Sequence, residues 1–379
     1  MANWNDLKVF VTGHTGFKGS WLCLLLEELG AKVSGYALAP PTQPSLYDAA
    51  EIGRSVDSVI DDIRDYDALL AAMRAATPDV VFHLAAQPLV RYSYEHPVET
   101  YATNVMGTVH VLEAVRALGT VKAVVAVTSD KCYENREWVY PYRETDPMGG
   151  HDPYSSSKGC SELVIAAYRA SYFPADRLAE HGTALASVRA GNVIGGGDWA
   201  LDRLVPDLVR AFEAGEAPVI RSPGAVRPWQ HVLEALHGYV QIAERLLAGQ
   251  ERFAEAWNFG PTEEDARPVA WIVDRMAAAW GVESGWRDWQ GEIPHEAGLL
   301  KLDCSKARAE LGWRPRLSLE QAIDYIVTWH KAVAGGESAL EVSRRQIRDF
   351  LLLRPGRSEA PSASSPPPAA ASAMGASGS

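Results

Sequence analysis

The chain has 379 residues, 47% of them hydrophobic, so it is long enough for one large domain or two smaller ones with a substantial buried core. The net charge of −12 argues against a general nucleic-acid surface or an anionic-membrane surface, and leaves room for a local basic pocket. Cys23, Cys132, Cys160 and Cys304 show no CxxC pairing and no metal-ligand spacing, which reads as reduced, structural thiols. The N-terminus carries no secretory pattern and no run of apolar residues is long enough to span a bilayer, so the cytoplasm is the expected compartment.

Lys8–Thr12 is a short apolar strand that runs into a glycine-rich turn, and residues 20–29 read as the helix that follows, stopped by Gly30. Further strands are expected at 32–36, 56–60, 79–84, 121–127 and 184–189. Helices are expected at 66–76, 98–118 and 154–172. The strands are nearly continuous apolar runs that alternate with helices. That pattern belongs to a parallel sheet covered on both faces, and it predicts an α/β, Rossmann-like doubly wound fold. Residues 1–194 are expected to form the dinucleotide-binding domain. Near Gly195 the rhythm breaks into a Trp-, Pro- and Arg-rich stretch with scattered short helices. Residues 195–350 are expected to be mainly a smaller substrate-binding lobe, with some segments returning to the first. Residues 357–379 are rich in Ser, Ala and Pro and are expected to be disordered.

Strand–turn–helix context gives meaning to Gly13, Gly16 and Gly19. The first allows the turn, the second lets the backbone approach a pyrophosphate, and the third lets helix pack on strand. Phe17 and Lys18 lie in the same turn, where free N–H groups at the helix start face phosphate. The second strand ends without the acid or arginine that distinguishes NAD from NADP. Asp62 and Ile63 follow the third strand and are candidates for the adenine. Leu84, Ala85 and Ala86 end the fourth strand with residues small enough to lie against a cofactor.

Tyr154 and Lys158 are four residues apart and so share one face of a helix. A neighbouring ammonium favours the phenolate, so the expectation is a tyrosine pKa lowered far enough for Tyr154 to serve as a base. Ser129, Asp130 and Lys131 sit at the carboxyl end of the fifth strand, where open α/β sheets bind their ligands. Asp130 and Lys131 are an acid/base couple that simple hydride transfer does not need. An epimerase or reductase would keep Tyr154 and Lys158 without that couple, and a non-catalytic dinucleotide sensor would not need Tyr154.

At these residues the chain resembles the extended short-chain dehydrogenase/reductases. Within them it is similar to the nucleotide-sugar 4,6-dehydratases of the CDP-sugar branch. The similarity rests on Gly-His-Thr-Gly-Phe-Lys-Gly at 13–19, Thr-Ser-Asp-Lys-Cys-Tyr-Glu-Asn at 128–135, Arg-Ala-Gly-Asn-Val-Ile-Gly-Gly-Gly-Asp-Trp at 189–199 and Arg-Pro-Trp-Gln-His at 227–231. Lys131, where related dehydratases carry glutamate, points to the CDP branch. Asp61, where glycine is common, and Ala235, where proline is usual, depart from the pattern. The resemblance implies NAD as cofactor, a nucleotide-diphosphate hexose such as CDP-glucose as substrate, and a homo-oligomer, dimer or tetramer. It also implies roles for the residues. Tyr154 takes the C4 hydroxyl proton beside Ser129, Lys131 as a neutral amine takes the C5 proton, and protonated Asp130 releases the C6 hydroxyl as water. Asn192, Arg203, Arg221 and Arg227 are candidates for the diphosphate, since guanidinium matches phosphate oxygens in a fork.

Overall fold

The computed structural model describes residues 3–291 and 299–355. The segment expected to be disordered, 357–379, lies outside the described residues. Seven parallel strands form the central sheet: β1 (Lys8–Thr12), β2 (Lys32–Ala37), β3 (Asp57–Ile60), β4 (Val80–His83), β5 (Ala123–Val127), β6 (Ala184–Ala190) and the seventh, Ala256–Phe259. The seventh lies beside β6, and the order across the sheet is β3-β2-β1-β4-β5-β6 and then that strand. The direction of winding reverses between β1 and β4, and a crevice opens there at the carboxyl ends of the strands.

Every residue of β4, β5 and β6 is buried. That burial accounts for their largely apolar character, because both faces are covered, with His83, Ser187 and Arg189 as buried polar exceptions. On one face lie α1 (Phe17–Glu28) and a later helix, Val232–Leu247. On the other lie α2 (Tyr66–Ala76), α3 (Gly107–Leu118) and α4 (Pro153–Ser171). α3 continues without a break from Pro97–Tyr101 through one π-turn, Ala102–Met106. α1 begins at Phe17, three residues earlier than expected, because the helix starts inside the glycine turn itself.

The stretch after β6 holds a three-stranded sheet made of β7 (Asn192–Ile194), Val226–His231 and Ala266–Pro268, and a two-stranded sheet made of Val219–Ile220 and Arg287–Asp288. Its helices are longer than the sequence suggested. After α5 (Leu204–Ala214) come α6 (Val232–Leu247), α7 (Val269–Trp280), α8 (Leu319–Ala334) and α9 (Ala339–Leu352). α6 and α9 pack back on the first lobe. Trp21 on α1 donates to the Gly196 carbonyl, and Arg344 and Arg348 on α9 reach Glu27 and Glu28 of α1.

One tie between α6 and the C-terminal region gives a stability prediction. Buried Glu234 accepts the N–H groups of Arg316 and Leu317 at 2.8 and 2.7 Å. Arg316 in turn donates to the carbonyls of Phe350 and Leu351 at the end of α9. Burial pushes the Glu234 carboxyl up to about 7, from an ordinary 4.5. The folded state therefore holds a proton that the unfolded state has lost, and stability falls as pH rises from 4.5 through 7. Glu234→Gln keeps the acceptor and has no charge. It is expected to unfold about 3 kcal/mol harder at alkaline pH and to match the parent in acid, as read by denaturant titration across pH.

Candidate active site

The floor of the crevice is built by the glycine turn. Gly13 has φ +77°, a left-handed conformation suited to glycine, and its N–H bonds the Tyr36 carbonyl at 2.9 Å. A side chain at Gly13 would meet the Ala85 nitrogen at 2.7 Å, and one at Gly19 would meet the Gly13 carbonyl oxygen at 2.1 Å. Those two glycines are thus required by the protein's own packing. Gly16 is different: a side chain there would make only an ordinary contact, at 3.5 Å. It is the N-cap of α1, and no side chain caps that helix. A helix start with its N–H groups open, next to a glycine the fold itself does not need, fits a pyrophosphate.

Lys18 stands in the first turn of α1. Burial lowers its amine to about 8, and it lies in the field of Lys158, Arg203 and Asp130. Phe17 packs on the core beside Gly195. Leu84 and Ala85 donate their N–H groups to Thr12 Oγ1, each at 3.1 Å, which pins the end of β4 to β1, and Ala86 follows on the same edge. Asp62 and Ile63 are placed less freely than the sequence suggested. Both oxygens of the Asp62 carboxylate are engaged by Arg64, which holds the carboxyl below its usual range. The Ile63 side chain is buried against Gly107.

Ser129, Asp130, Lys131, Tyr154 and Lys158 converge. β5 ends at Val127, and residues 130–132 form a single 3₁₀ turn that exposes one edge to the crevice. The Ser129 hydroxyl donates to Asp130 Oδ1 at 2.9 Å and accepts the Lys131 N–H at 3.2 Å. α4 begins with Asp152 as its N-cap, accepting from Ser155 N–H at 2.9 Å, and with Pro153 in the first turn. That capping fixes the start of the helix, and with it Tyr154 and Lys158 on its buried face.

Burial dominates the electrostatics of the site. It raises Asp130 above the usual carboxylate range, against the pull of Lys131, Ser129 and Arg227. A carboxyl whose acid form burial favours, beside a lysine, suits protonation of a departing hydroxyl. Tyr154 departs from expectation. Burial pushes its phenol up to about 12, the Ser129 hydroxyl and Arg203 pull it down, and Asp130 opposes them. Lys158 is itself lowered to about 8, first by burial. Desolvation of both groups therefore outweighs the simple pairing read from their spacing, and the chain by itself keeps Tyr154 protonated at neutral pH.

The four substrate-side candidates lie in the segments that follow β6. Asn192 opens β7 and stands in register with Trp229. Gly191, just before it, lies between Pro228 and Asp130, so Arg227 comes close enough to act on Asp130. Arg203 bonds Asp198 at 3.1 Å and acts on Tyr154 and Lys18. Arg221 pairs with Asp202 at 2.6 Å, which Arg91 also reaches at 3.3 Å. Arg203, Arg221 and Arg91 thus meet two carboxylates, Asp198 and Asp202. His231 caps α6 by accepting from Leu233 N–H and stays neutral, since burial lowers it to about 3.

Residues 10–326 match the family described as GDP-mannose 4,6 dehydratase. The chain belongs to that family, within the extended short-chain dehydrogenase/reductases. Among curated relatives, the CDP-glucose 4,6-dehydratase of Salmonella typhimurium is 56% identical over 348 residues, which is 92% of this chain and 97% of that protein. The dTDP-glucose 4,6-dehydratase of Streptomyces antibioticus is 29% identical over 86% of this chain and 92% of its own. Among solved structures, DesIV, the dTDP-glucose 4,6-dehydratase of Streptomyces venezuelae with NAD and TYD bound, superposes with a TM-score of 0.72 at 24% identity. It covers 88% of this chain and 99% of its own. That likeness shows the fold.

Two buried polar residues that tie these elements together were not picked out from the sequence. Asn104, in the π-turn, accepts Gln87 N–H at 2.8 Å and donates to Ser157 Oγ at 2.8 Å, so it joins the end of β4 to α4. His83 lies between Thr12 Oγ1 at 2.8 Å and Thr108 Oγ1 at 3.1 Å. Thr12 already accepts two N–H groups and Thr108 donates to the Asn104 carbonyl. The ring therefore accepts at Nδ1 and donates at Nε2. The signal for both was a polar residue inside an apolar segment.

Proposed function

We propose that the chain is a CDP-glucose 4,6-dehydratase, converting CDP-D-glucose to CDP-4-keto-6-deoxy-D-glucose and water. The carrying observation is the buried acid Asp130, raised above its usual range and adjoining Lys131, on the strand end that faces Tyr154 and Lys158. The 56% identity to the Salmonella enzyme supports CDP-glucose as the hexose.

The open N-terminus of α1, Gly16, Lys18 and the pinned end of β4 would hold NAD, with Lys158 beside its ribose. Bound there, NAD would supply a hydride acceptor for C4 and a hydride donor for C6, with no net change of the cofactor. Tyr154 accepts the C4 hydroxyl proton, with Ser129 steadying the phenolate that results. Lys131 removes the C5 proton that the C4 ketone has made acidic. Asp130 gives its proton to the C6 hydroxyl, which leaves as water, and C5 is then reprotonated. The net change is loss of one water. Asn192, Arg203, Arg221 and Arg227 take the diphosphate. The test is incubation of the purified protein with CDP-, dTDP-, GDP- and UDP-hexoses, with and without added NAD. CDP-glucose alone is expected to yield the alkali-absorbing 4-keto-6-deoxy sugar, and a preference for another nucleotide overturns the assignment.

The protein works as a homodimer. Val98, Tyr101, Met106 and Leu163 expose apolar side chains on the outer side of the helical run 97–118 and of α4, a patch suited to a second copy. The double variant Met106→Arg/Leu163→Arg is expected to sediment as a monomer. A parent protein that already sediments as a monomer rejects the dimer.

A further inference from the structure

Proton abstraction from the C4 hydroxyl and elimination across C5 and C6 use different side chains on different elements. Tyr154 and Lys158 ride on α4, and Asp130 and Lys131 ride on the turn after β5. Their relative placement must be held to a fraction of an ångström for both steps to act on one bound sugar. A buried ion pair on neither rim is placed to do this. Glu162, one helical turn beyond Lys158, meets Arg189 of β6 through two bonds of 2.8 Å, and the side chains are 5% and 4% exposed.

Each partner of that pair grips one flank of the acid/base turn. The Thr128 hydroxyl, two residues before Asp130, donates to Glu162 Oε1. The Tyr133 hydroxyl, two residues after Lys131, accepts from Arg189 Nη1 at 2.6 Å and donates to Asn258 Oδ1 at 2.8 Å. Ser187 Oγ donates at 2.8 Å to Glu162 Oε2, which Arg189 Nη2 also bonds, and Arg189 Nη1 bonds the Glu144 carbonyl. Asn258 closes the frame by donating to the carbonyls of Tyr142 and Asp303. A buried ion pair adds little stability over well-packed apolar residues of the same volume, so its value here is geometric.

We propose that Glu162, Arg189 and Tyr133 are positioning residues that register the elimination pair against the hydride-transfer pair. The inference rests on the dehydratase reading above. Thr128 holds the Ser129 side of the turn and Tyr133 holds the Lys131 side. Loosening Tyr133 therefore disturbs elimination and spares oxidation at C4.

The experiment is a single turnover of Tyr133→Phe with CDP-glucose and NAD, following reduced nicotinamide and keto-sugar separately. Reduced nicotinamide is expected to form at the parent rate within about twofold and to accumulate, while keto-sugar forms about tenfold to a hundredfold more slowly. Amide exchange is expected to quicken at residues 129–133 and to stay unchanged at 154–158. Equal slowing of both signals, or no slowing of either, overturns the positioning role. A parent protein that gives neither signal with CDP-glucose removes the dehydratase reading itself, which sets that failure apart from failure of the positioning role.

Discussion

Replacing Lys131 with methionine stops elimination and leaves oxidation at C4 in place. The substitution keeps the length and apolar stem of the side chain and removes the only atom able to take a proton. Positioned proton transfer of this kind contributes about a hundredfold to ten-thousandfold, and keto-sugar formation is expected to fall by about a thousandfold. Tyr154, Lys158 and the glycine turn are untouched, so mixing the variant with substrate and NAD should still give reduced nicotinamide, now stranded. Stopped-flow absorbance reads this directly. A variant that forms product at close to the parent rate removes Lys131 from the mechanism. One that forms no reduced nicotinamide shows that Lys131 acts earlier than C5.

Tyr154→Phe gives the opposite signature. The ring volume is preserved, so packing along α4 persists, but no group remains to receive the C4 hydroxyl proton. Both signals are expected to fall together by about a thousandfold, with no reduced nicotinamide accumulating. Ser129→Ala is a graded version. The Ser129 hydroxyl lowers the Tyr154 pKa against burial, so its removal is expected to move the titration of the oxidation step to higher pH and to leave elimination unshifted. Rates of the two phases measured across pH check this. A shift of the oxidation titration to lower pH contradicts the placement of Ser129 beside the phenol.

Much of this site was legible in the sequence because parallel sheets put apolar runs and functional residues at fixed places along the chain. Six strands of the central sheet, the glycine turn and the residues at the end of β5 could be read in that way. The seventh strand, Ala256–Phe259, could not. It is only four residues long and carries Asn258, whose side chain serves the buried network and breaks the apolar run. The long helices of the second lobe were hidden by the Trp, Pro and Arg around them. α6 starts directly after a strand, capped by a histidine, a residue outside the usual capping set. Spacing placed Tyr154 and Lys158 on one face and could not weigh how deeply both are desolvated, because depth depends on segments far away in the chain. The same is true of Glu162 and Arg189. Each reads as an ordinary charged residue, and only the fold shows that they meet, buried, between α4 and β6.

The central claim is that one hydrogen leaves C4 and returns to C6 of the same sugar while Lys131 and Asp130 remove water between. The most direct measurement is turnover of CDP-glucose labelled with deuterium at C4, with the product examined by NMR and mass spectrometry. The label is predicted at C6 of the product, with one solvent hydrogen at C5. Deuterium found at C5 of the product, or lost entirely to solvent, would contradict the account.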